Sequence, residues 1–495
     1  MASRERQLKN SLVYLFAVVA GNVVAFVTLP VFTRFISREE YGVLALVQAY
    51  AIFMGGVASF GMPIIYERNY FEHHDIKRIA ALLYSTLLFT TVLFTFLASV
   101  TYFFRGVLAQ WVTGSAAYGP LLFLAFCANG ITSLKAYYLT YYKNTENAKK
   151  FVWYTIDEIV LSAVIALLLV VGLGFGITGI VWGQAIAGLV VFLIVTTRFV
   201  KELPPTLDWG ILKEVLKLSY PLTPRFFVGV VGNQADKYML RFLDSVGGVG
   251  VYSIGQKIAN VVFTCMTAIQ NVYAPQVYQR MFNLGELGKE AVGRYLTPFA
   301  YLSMFMALLV GIFAEEMTWL LLAPAYRGAA DVVLILSLYY AIMFFGKQPQ
   351  LLFAKKTLTI SLLTFLSIGL TIAITIPLII KFGMLGAAWG TLVSGGISIT
   401  ISFYVSQRAY RIGWEYRKIV IFIALLSALV LGLLILRWIH AGYLIRFLYK
   451  ITILVMYGYF GVRFRILTGE NYQSFKSMIM GLRLVTTGGS KSVNV

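Results

Sequence analysis

Runs of about twenty apolar residues recur along this chain, parted by short charged stretches, and they decide its solvent. Each run is long enough to cross ~30 Å of hydrocarbon as a helix. Inside hydrocarbon every backbone N–H and C=O must find its partner within the chain, so such runs fold as helices. They fall near 11–33, 40–62, 79–104, 118–141, 152–173, 177–200, 214–243, 247–275, 295–314, 329–353, 358–380, 383–407, 418–438 and 442–462. Only 13% of the 495 residues are charged and 59% are apolar, against about 25% charged in ordinary globular chains. The expected fold class is an all-α polytopic membrane protein of about 14 transmembrane helices. The first run extends from Ser11 to Phe32, interrupted only by Asn22 and Pro30. A secretory signal has a shorter apolar core, of about 7–15 residues, and a cleavage site of small residues, so this run is expected to be a retained first span.

Lysine and arginine set the expected orientation. One alternate set of loops, with both tails, holds 28 of the 41 basic residues, in groups such as Arg4, Arg6 and Lys9 or Lys143, Lys149 and Lys150. The opposite loops hold 8: Arg34, Arg38, Arg105, Arg241, Arg327, Lys381, Arg437 and Arg446. Basic loops stay in the cytoplasm. Both termini are therefore expected there, in a multi-pass cell (inner/plasma) membrane protein. Topology and anionic membrane lipids account for much of the +20 net charge, and no nucleic-acid partner is needed.

The chain also repeats itself. "GITGIVWGQ" at Gly176–Gln184 and "GMLGAAWGT" at Gly383–Thr391 share Gly176/Gly383, Gly179/Gly386, Trp182/Trp389 and Gly183/Gly390 at an offset of 207. "YGVLALVQ" at Tyr41–Gln48 matches "VGVYSIGQ" at Val249–Gln256 in Gly42/Gly250, Val43/Val251 and Gln48/Gln256, at an offset of 208. "AKK" at Ala148–Lys150 returns at Ala354–Lys356. The matches are colinear, so the expectation is two six-helix lobes, 1–203 and 204–412, forming a parallel internal repeat. Two appended transmembrane helices (413–465) and a cytoplasmic tail (466–495) follow. The glycines at i, i+3 and i+7 share one helix face and read as close packing within each half.

A charge inside the bilayer costs about 2.5–3.5 kcal/mol on insertion scales, so each one needs a reason. The seventh run, "SYPLTPRFFVGVVGNQADKYMLRF", holds Arg225, Asp236 and Lys237, with Arg225 and Asp236 eleven residues apart on one face. Gln256 and Lys257 follow in the eighth run, Asn22 lies in the first, Lys135 in the fourth, and Asp157 and Glu158 in the fifth. Arg225, Lys237 and Lys257 outnumber Asp236, which suits a phosphate-bearing substrate, with Gln256 and Asn22 as polar lining. Asp157, Glu158 and Lys135 are candidates for ion coupling or charge pairing. Structural pairing, or a side chain reaching for the interface, fits each residue taken singly.

Little else carries chemistry. Cys127 and Cys265 sit in apolar runs and read as packing residues. His73, His74 and His440 lack metal-ligand spacing. There is no phosphate-cradling glycine loop and no nucleophile with a positioned base, so neither an enzyme nor a cofactor is expected. Without an ATP-binding domain, any work must draw on ion gradients, membrane potential or downhill substrate flow.

"LPVFTRFISREEYGVLALVQAY" and "SYPLTPRFF…ADKYMLRFLDSVGGVGVYSIGQKIANV" resemble the polysaccharide-transporter branch of the multidrug/oligosaccharidyl-lipid/polysaccharide (MOP) flippase superfamily. The resemblance rests on Ser37, Glu39, Tyr41 and Gly42, and on Asp236, Lys237, Leu240, Gly250, Tyr252 and Ser253. It covers roughly residues 1–410, and the pair at 413–465 fits members with fourteen spans. It implies a flippase carrying undecaprenyl-pyrophosphate-linked oligosaccharide across the membrane by alternating access, for O-antigen, capsule or exopolysaccharide assembly, alongside a polysaccharide polymerase. Two alternatives share this fold, a cation-coupled multidrug antiporter and a lipid-II-type peptidoglycan precursor flippase. The first run carries Asn22 but no acid, whereas cation-coupled exporters of the superfamily often have one there. A non-transporting membrane scaffold is the reading from another class.

Overall fold

The structure is a computed structural model that describes residues 20–72, 75–220, 223–346, 349–464 and 466. The expected tail lies almost wholly outside these residues, and so do His73, His74 and Pro221, which with Pro224 is expected to kink the seventh run. Apolar runs of this length form helices throughout: α1 (Ala20–Phe35), α2 (Arg38–Ser59), α3 (Met62–Tyr70), α4 (Ile76–Phe103), α5 (Arg105–Thr113), α6 (Gly119–Asn144), α7 (Ala148–Leu167), α8 (Gly176–Glu202), α9 (Trp209–Ser219), α10 (Thr223–Leu243), α11 (Val246–Ile312), α12 (Ala314–Leu321), α13 (Ala329–Met343), α14 (Pro349–Phe353), α15 (Thr357–Ala409), α16 (Tyr416–Trp438) and α17 (Tyr443–Arg463). Ten helices among the described residues are long and apolar enough to cross a membrane. That number is not the expected fourteen. α1 is described only from Ala20, α10 carries Arg225, Asp236, Lys237 and Arg241, and α15 is one continuous element broken by a single glycine.

Glycines mark the breaks. Gly285 (φ 52°) interrupts α11 and Gly383 (φ 56°) interrupts α15. This region of backbone space is open to glycine at little cost, so the chain reverses without a loop. The stretch around 276–294, expected as a connection, is instead helical on both sides of Gly285. The expected seventh span also divides, into the short α9 and the longer α10.

The 207-residue repeat has a direct structural counterpart. Gly176 has φ 53° and Gly383 has φ 56°, so both open a helix that folds back on its predecessor. A Cβ on Gly183 would lie 2.8 Å from Ala166 N, and one on Gly390 would lie 2.8 Å from the Thr375 Cα. Each copy thus brings two helix backbones together where a side chain has no room. The "AKK" match is out of register. Ala148–Lys150 opens α7, whereas Lys356 caps α15.

Contacts group the helices into two compact units, one running to Ser253 and the other from Ile254. The first centres on a cluster of tyrosines, Tyr66, Tyr137, Tyr138, Tyr142 and Tyr154, around Phe199. Phe199 lies 4.7 Å from the Tyr138 ring and 5.6 Å from that of Tyr142. Ring packing at such distances adds about 0.5–1.5 kcal/mol per pair beyond area burial. In the second unit, α16 and α17 are fastened to α11. The Tyr301 and Tyr457 rings stack at 4.7 Å, and the Tyr301 hydroxyl donates to the Tyr457 carbonyl at 2.7 Å. Tyr301 also meets Phe422 edge-on at 4.9 Å.

These contacts make the glycine requirement testable. Gly183→Leu or Gly390→Leu is expected to destabilise the detergent-solubilised protein by about 1–3 kcal/mol through overpacking. Gly369→Ala, with nothing within 4 Å of the new methyl, should be neutral or mildly stabilising. Fluorescence-detected thermal unfolding of the three variants checks both expectations.

Candidate substrate and coupling site

The residues singled out around α10 begin with the second sequence repeat. Ser37 caps α2, its hydroxyl accepting from the Glu40 N–H at 3.2 Å while the Glu40 carboxylate accepts from the Ser37 N–H at 2.9 Å. This reciprocal pair is a capping box. Ser245, 208 residues later, accepts from the Gly248 N–H at 3.0 Å at the start of α11. The two helices then cross. A Cβ on Gly42 would lie 1.9 Å from the Val246 carbonyl oxygen, and a Cβ on Gly250 would lie 2.0 Å from that of Arg38. Each glycine meets the residue four places before the other, so the crossing is two-fold in local geometry as well as in sequence. Backbones approach this closely only where side chains are missing.

Behind the crossing stand the motif residues. Asp236 is buried on α10, and its carboxylate accepts from the Tyr252 hydroxyl at 2.6 Å. The Lys237 ammonium donates to Gln234 Oε1 at 2.7 Å. Leu240 is fully buried. Phe227 of α10 packs on Phe53 of α2, ring centres 5.1 Å apart. Two residues set apart in the motif, Asp236 and Tyr252, are therefore one hydrogen-bonded unit, and a charge-assisted bond this short is a strong one. Asn22 on α1 is half-buried. The Arg225 side chain lies outside the described residues. Gln256 and Lys257 follow in the second compact unit, Gln256 half-buried and Lys257 exposed.

The other predicted group separates. Lys135 on α6, only 4% exposed, is ion-paired with Glu158 on α7, whose other oxygen accepts from the Thr132 hydroxyl at 3.1 Å. Asp157 is exposed and does not share this pair. Gly188 of α8 passes beside Glu158, so three helices converge on the pair.

One charged cluster escaped the sequence reading. Lys450 of α17 is completely buried, and its ammonium donates to Glu316 at 2.7 Å and Glu315 at 3.1 Å. Arg446 reaches Glu315 at 2.9 Å, and Arg437 of α16 reaches Asp331 at 2.6 Å. Three acids and three bases thus bind α16 and α17 to α12 and α13. Burial pushes the Glu315 carboxyl up, but the bond from Lys450 and the charges of Lys450, Arg437 and Arg446 prevail and hold it below its ordinary value. The signal in the sequence is Lys450 within an apolar run, together with the paired acids Glu315–Glu316. Among the described residues no group of His, Cys, Asp and Glu is placed to hold a metal ion.

A family model described as "Polysaccharide biosynthesis protein" matches residues 7–279. The chain belongs to this family. The match takes in the capping box, the glycine crossing and the Asp236–Tyr252 pair. The fold is that of the MOP flippase superfamily. The chain resembles the lipid II flippase MurJ in an inward closed conformation, with a TM-score of 0.64 at 14% identity, covering 92% of this chain and 99% of that one. It also resembles a mutant of the Vibrio cholerae MATE transporter VcmN, with a TM-score of 0.54 at 13% identity over 83% and 98% of the two chains. The MATE multidrug transporter DinF-BH gives 0.54 at 18% identity over 82% and 95%. No curated protein matches by sequence. These likenesses establish the fold and leave the function and cargo to be argued from the residues.

Two measurements probe the buried charges. Lys135→Met leaves Glu158 without its cation and is expected to cost about 3–5 kcal/mol, while Lys135→Met with Glu158→Gln recovers most of that loss. Thermal unfolding of single and double variants reads the difference. The α12–α17 cluster carries a pH sign. Because the folded Glu315 carboxyl lies below its unfolded value, its stabilisation is fully present above the ordinary carboxylate range and disappears as pH falls through the lowered value. A thermal-unfolding series on the acid side should therefore show wild-type stability falling toward that of Glu315→Gln.

Proposed function

We propose that this protein is a flippase moving undecaprenyl-pyrophosphate-linked oligosaccharide from the cytoplasmic to the outer leaflet, for O-antigen, capsule or exopolysaccharide assembly. The observation that carries this reading is the family match over the segment that holds Asp236, Lys237 and the glycine crossing. A pyrophosphate cannot enter hydrocarbon unaided, and a site for it needs cations held at membrane depth. Arg225, Lys237 and Lys257 are the candidates, with Asp236, Gln256 and Asn22 as polar neighbours. The Asp236–Tyr252 bond joins α10 to the start of α11 beside Lys237. The Lys135–Glu158 pair, with Asp157 nearby in sequence, is the candidate for charge coupling.

The loop distribution of lysine and arginine supports a cell inner-membrane protein with cytoplasmic termini. In that orientation the α2–α11 crossing lies at the outer end. Alternating access then requires Gly42 and Gly250 to part whenever the path opens outward, and glycine backbones part without dragging side chains through each other. Lipid-linked oligosaccharide, membrane lipids and a polysaccharide polymerase are the partners of this reading. A surplus of basic residues disfavours the cationic cargo of a multidrug antiporter.

The test is surface polysaccharide in a strain that depends on this chain. Arg225→Gln and Lys257→Gln are each expected to reduce it at least about tenfold, the scale of one lost charge-assisted hydrogen bond, with protein levels unchanged. Normal polysaccharide in both removes the anion-site assignment. Rescue of a strain depleted of its peptidoglycan-precursor flippase, without restoration of polysaccharide, assigns the cargo to lipid II instead.

A further inference from the structure

The segment between α8 and α10 is built onto the first compact unit and is not a loose tether. The Leu203 carbonyl accepts from the Tyr84 hydroxyl at 2.8 Å. The Asp208 N–H donates to Ser85 Oγ at 3.1 Å, and Asp208 caps α9 by accepting from the Gly210 N–H at 2.7 Å and the Ile211 N–H at 3.1 Å. Leu212 and Val215 join the tyrosine core, and the Ser219 hydroxyl donates to the Phe60 carbonyl. One face of α9 is thus accounted for by the protein, and its orientation is fixed.

The opposite side carries a different pattern. Trp209, Lys213, Lys217 and Tyr220 stand at i, i+4, i+8 and i+11, which makes one stripe along a helix. Trp209 is 72% exposed and Tyr220 71%, and both lysines are exposed. Leu207, just before the cap, is also exposed. Neither lysine makes an ion pair among the described residues, and Glu214 is the acid that shares the exposed side. The membrane-crossing α8 ends at Glu202 and α10 begins at Thr223, so α9 lies at the level where the helices leave the bilayer. Tryptophan and tyrosine prefer that level because their rings are apolar and their tips polar. Lysines among them gain from negative headgroups.

We infer that the Trp209–Lys213–Lys217–Tyr220 stripe of α9 is a docking surface for anionic phospholipid headgroups. The rings enter the headgroup layer and the two ammonium groups pair with lipid phosphates. This surface is independent of the cargo, because it lies on a helix that takes no part in the proposed substrate site.

The full-length protein in lipid nanodiscs tests this. Brominated lipid quenches a tryptophan it touches, and the Trp209 signal is the difference between wild type and Trp209→Phe, the chain having eight tryptophans. Nanodiscs contain phosphatidylcholine and phosphatidylglycerol in equal amounts, with only one of the two brominated. Brominated phosphatidylglycerol is expected to quench Trp209 more strongly than brominated phosphatidylcholine. Lys213→Gln/Lys217→Gln should equalise the two, with affinity for the anionic lipid falling roughly five-fold per lysine. Glu214→Gln, on the same exposed side, should keep or increase the preference. No quenching by either lipid overturns the membrane contact. Equal quenching in the wild type, or an undiminished preference in the double lysine variant, overturns the anionic assignment.

Discussion

In hydrocarbon one helix gains nothing from hiding its apolar side chains against another, since lipid tails serve as well. Association then depends on how near two backbones can come and on polar bonds that have no substitute in lipid. This constraint governs the places where the chain is most particular about its residues. Gly42 and Gly250 let α2 and α11 cross with a backbone carbonyl where a methyl group would be. Gly183 and Gly390 do the same inside the two hairpins. Both arrangements are written twice, about 207 residues apart: the hairpin packing is made once at each copy, whereas the α2–α11 crossing is one contact to which both copies contribute a glycine.

Charges follow a second form of the same rule. Lys135, Asp236 and Lys450 are all buried, and each has a partner from a different helix or a motif residue of the next one. Left alone they would be expensive at membrane depth. Paired, they act as fasteners between elements that hydrophobicity cannot hold. The Lys135–Glu158 pair ties α6 to α7, the Asp236–Tyr252 bond ties α10 to α11, and the six-residue cluster ties α16 and α17 to α12 and α13. Lys450 is the most completely buried of these charges, its ammonium held by Glu315 and Glu316.

The fold was legible in the sequence where the signal was local or repeated. Apolar runs set the helices, and the offset glycines announced the close packing at Gly183 and Gly390, whereas the tight turns at Gly176 and Gly383 came from the structure. Less was visible where spacing was long or ambiguous. The partners Glu315 and Lys450 are 135 residues apart, and nothing in either segment points to the other. Arg437 and Arg446 looked like loop residues counting toward orientation, although both are bound to acids. The seventh run reads as continuous because α9 is apolar on one face, and its Asp208 cap, its lysines and the prolines Pro221 and Pro224 are what mark the break. At the candidate site, the motif gave Asp236 and Tyr252 as separate letters. Their bond became visible only when α10 and the start of α11 were folded side by side.

The buried ammonium of Lys450 also has a temporal meaning. Ribosomal synthesis delivers α12, with Glu315 and Glu316, well before α17. Until the last helix arrives, Glu316 stands without the Lys450 ammonium and Glu315 has only Arg437 of α16, and when α17 arrives its lysine has to find them or stay wet. The final hairpin is therefore not a detachable accessory. Grafted onto a lobe lacking those acids it would carry an orphan cation into the bilayer, and a nascent chain stalled short of α17 would display a half-compensated anionic pair to whatever machinery inspects unfinished membrane proteins.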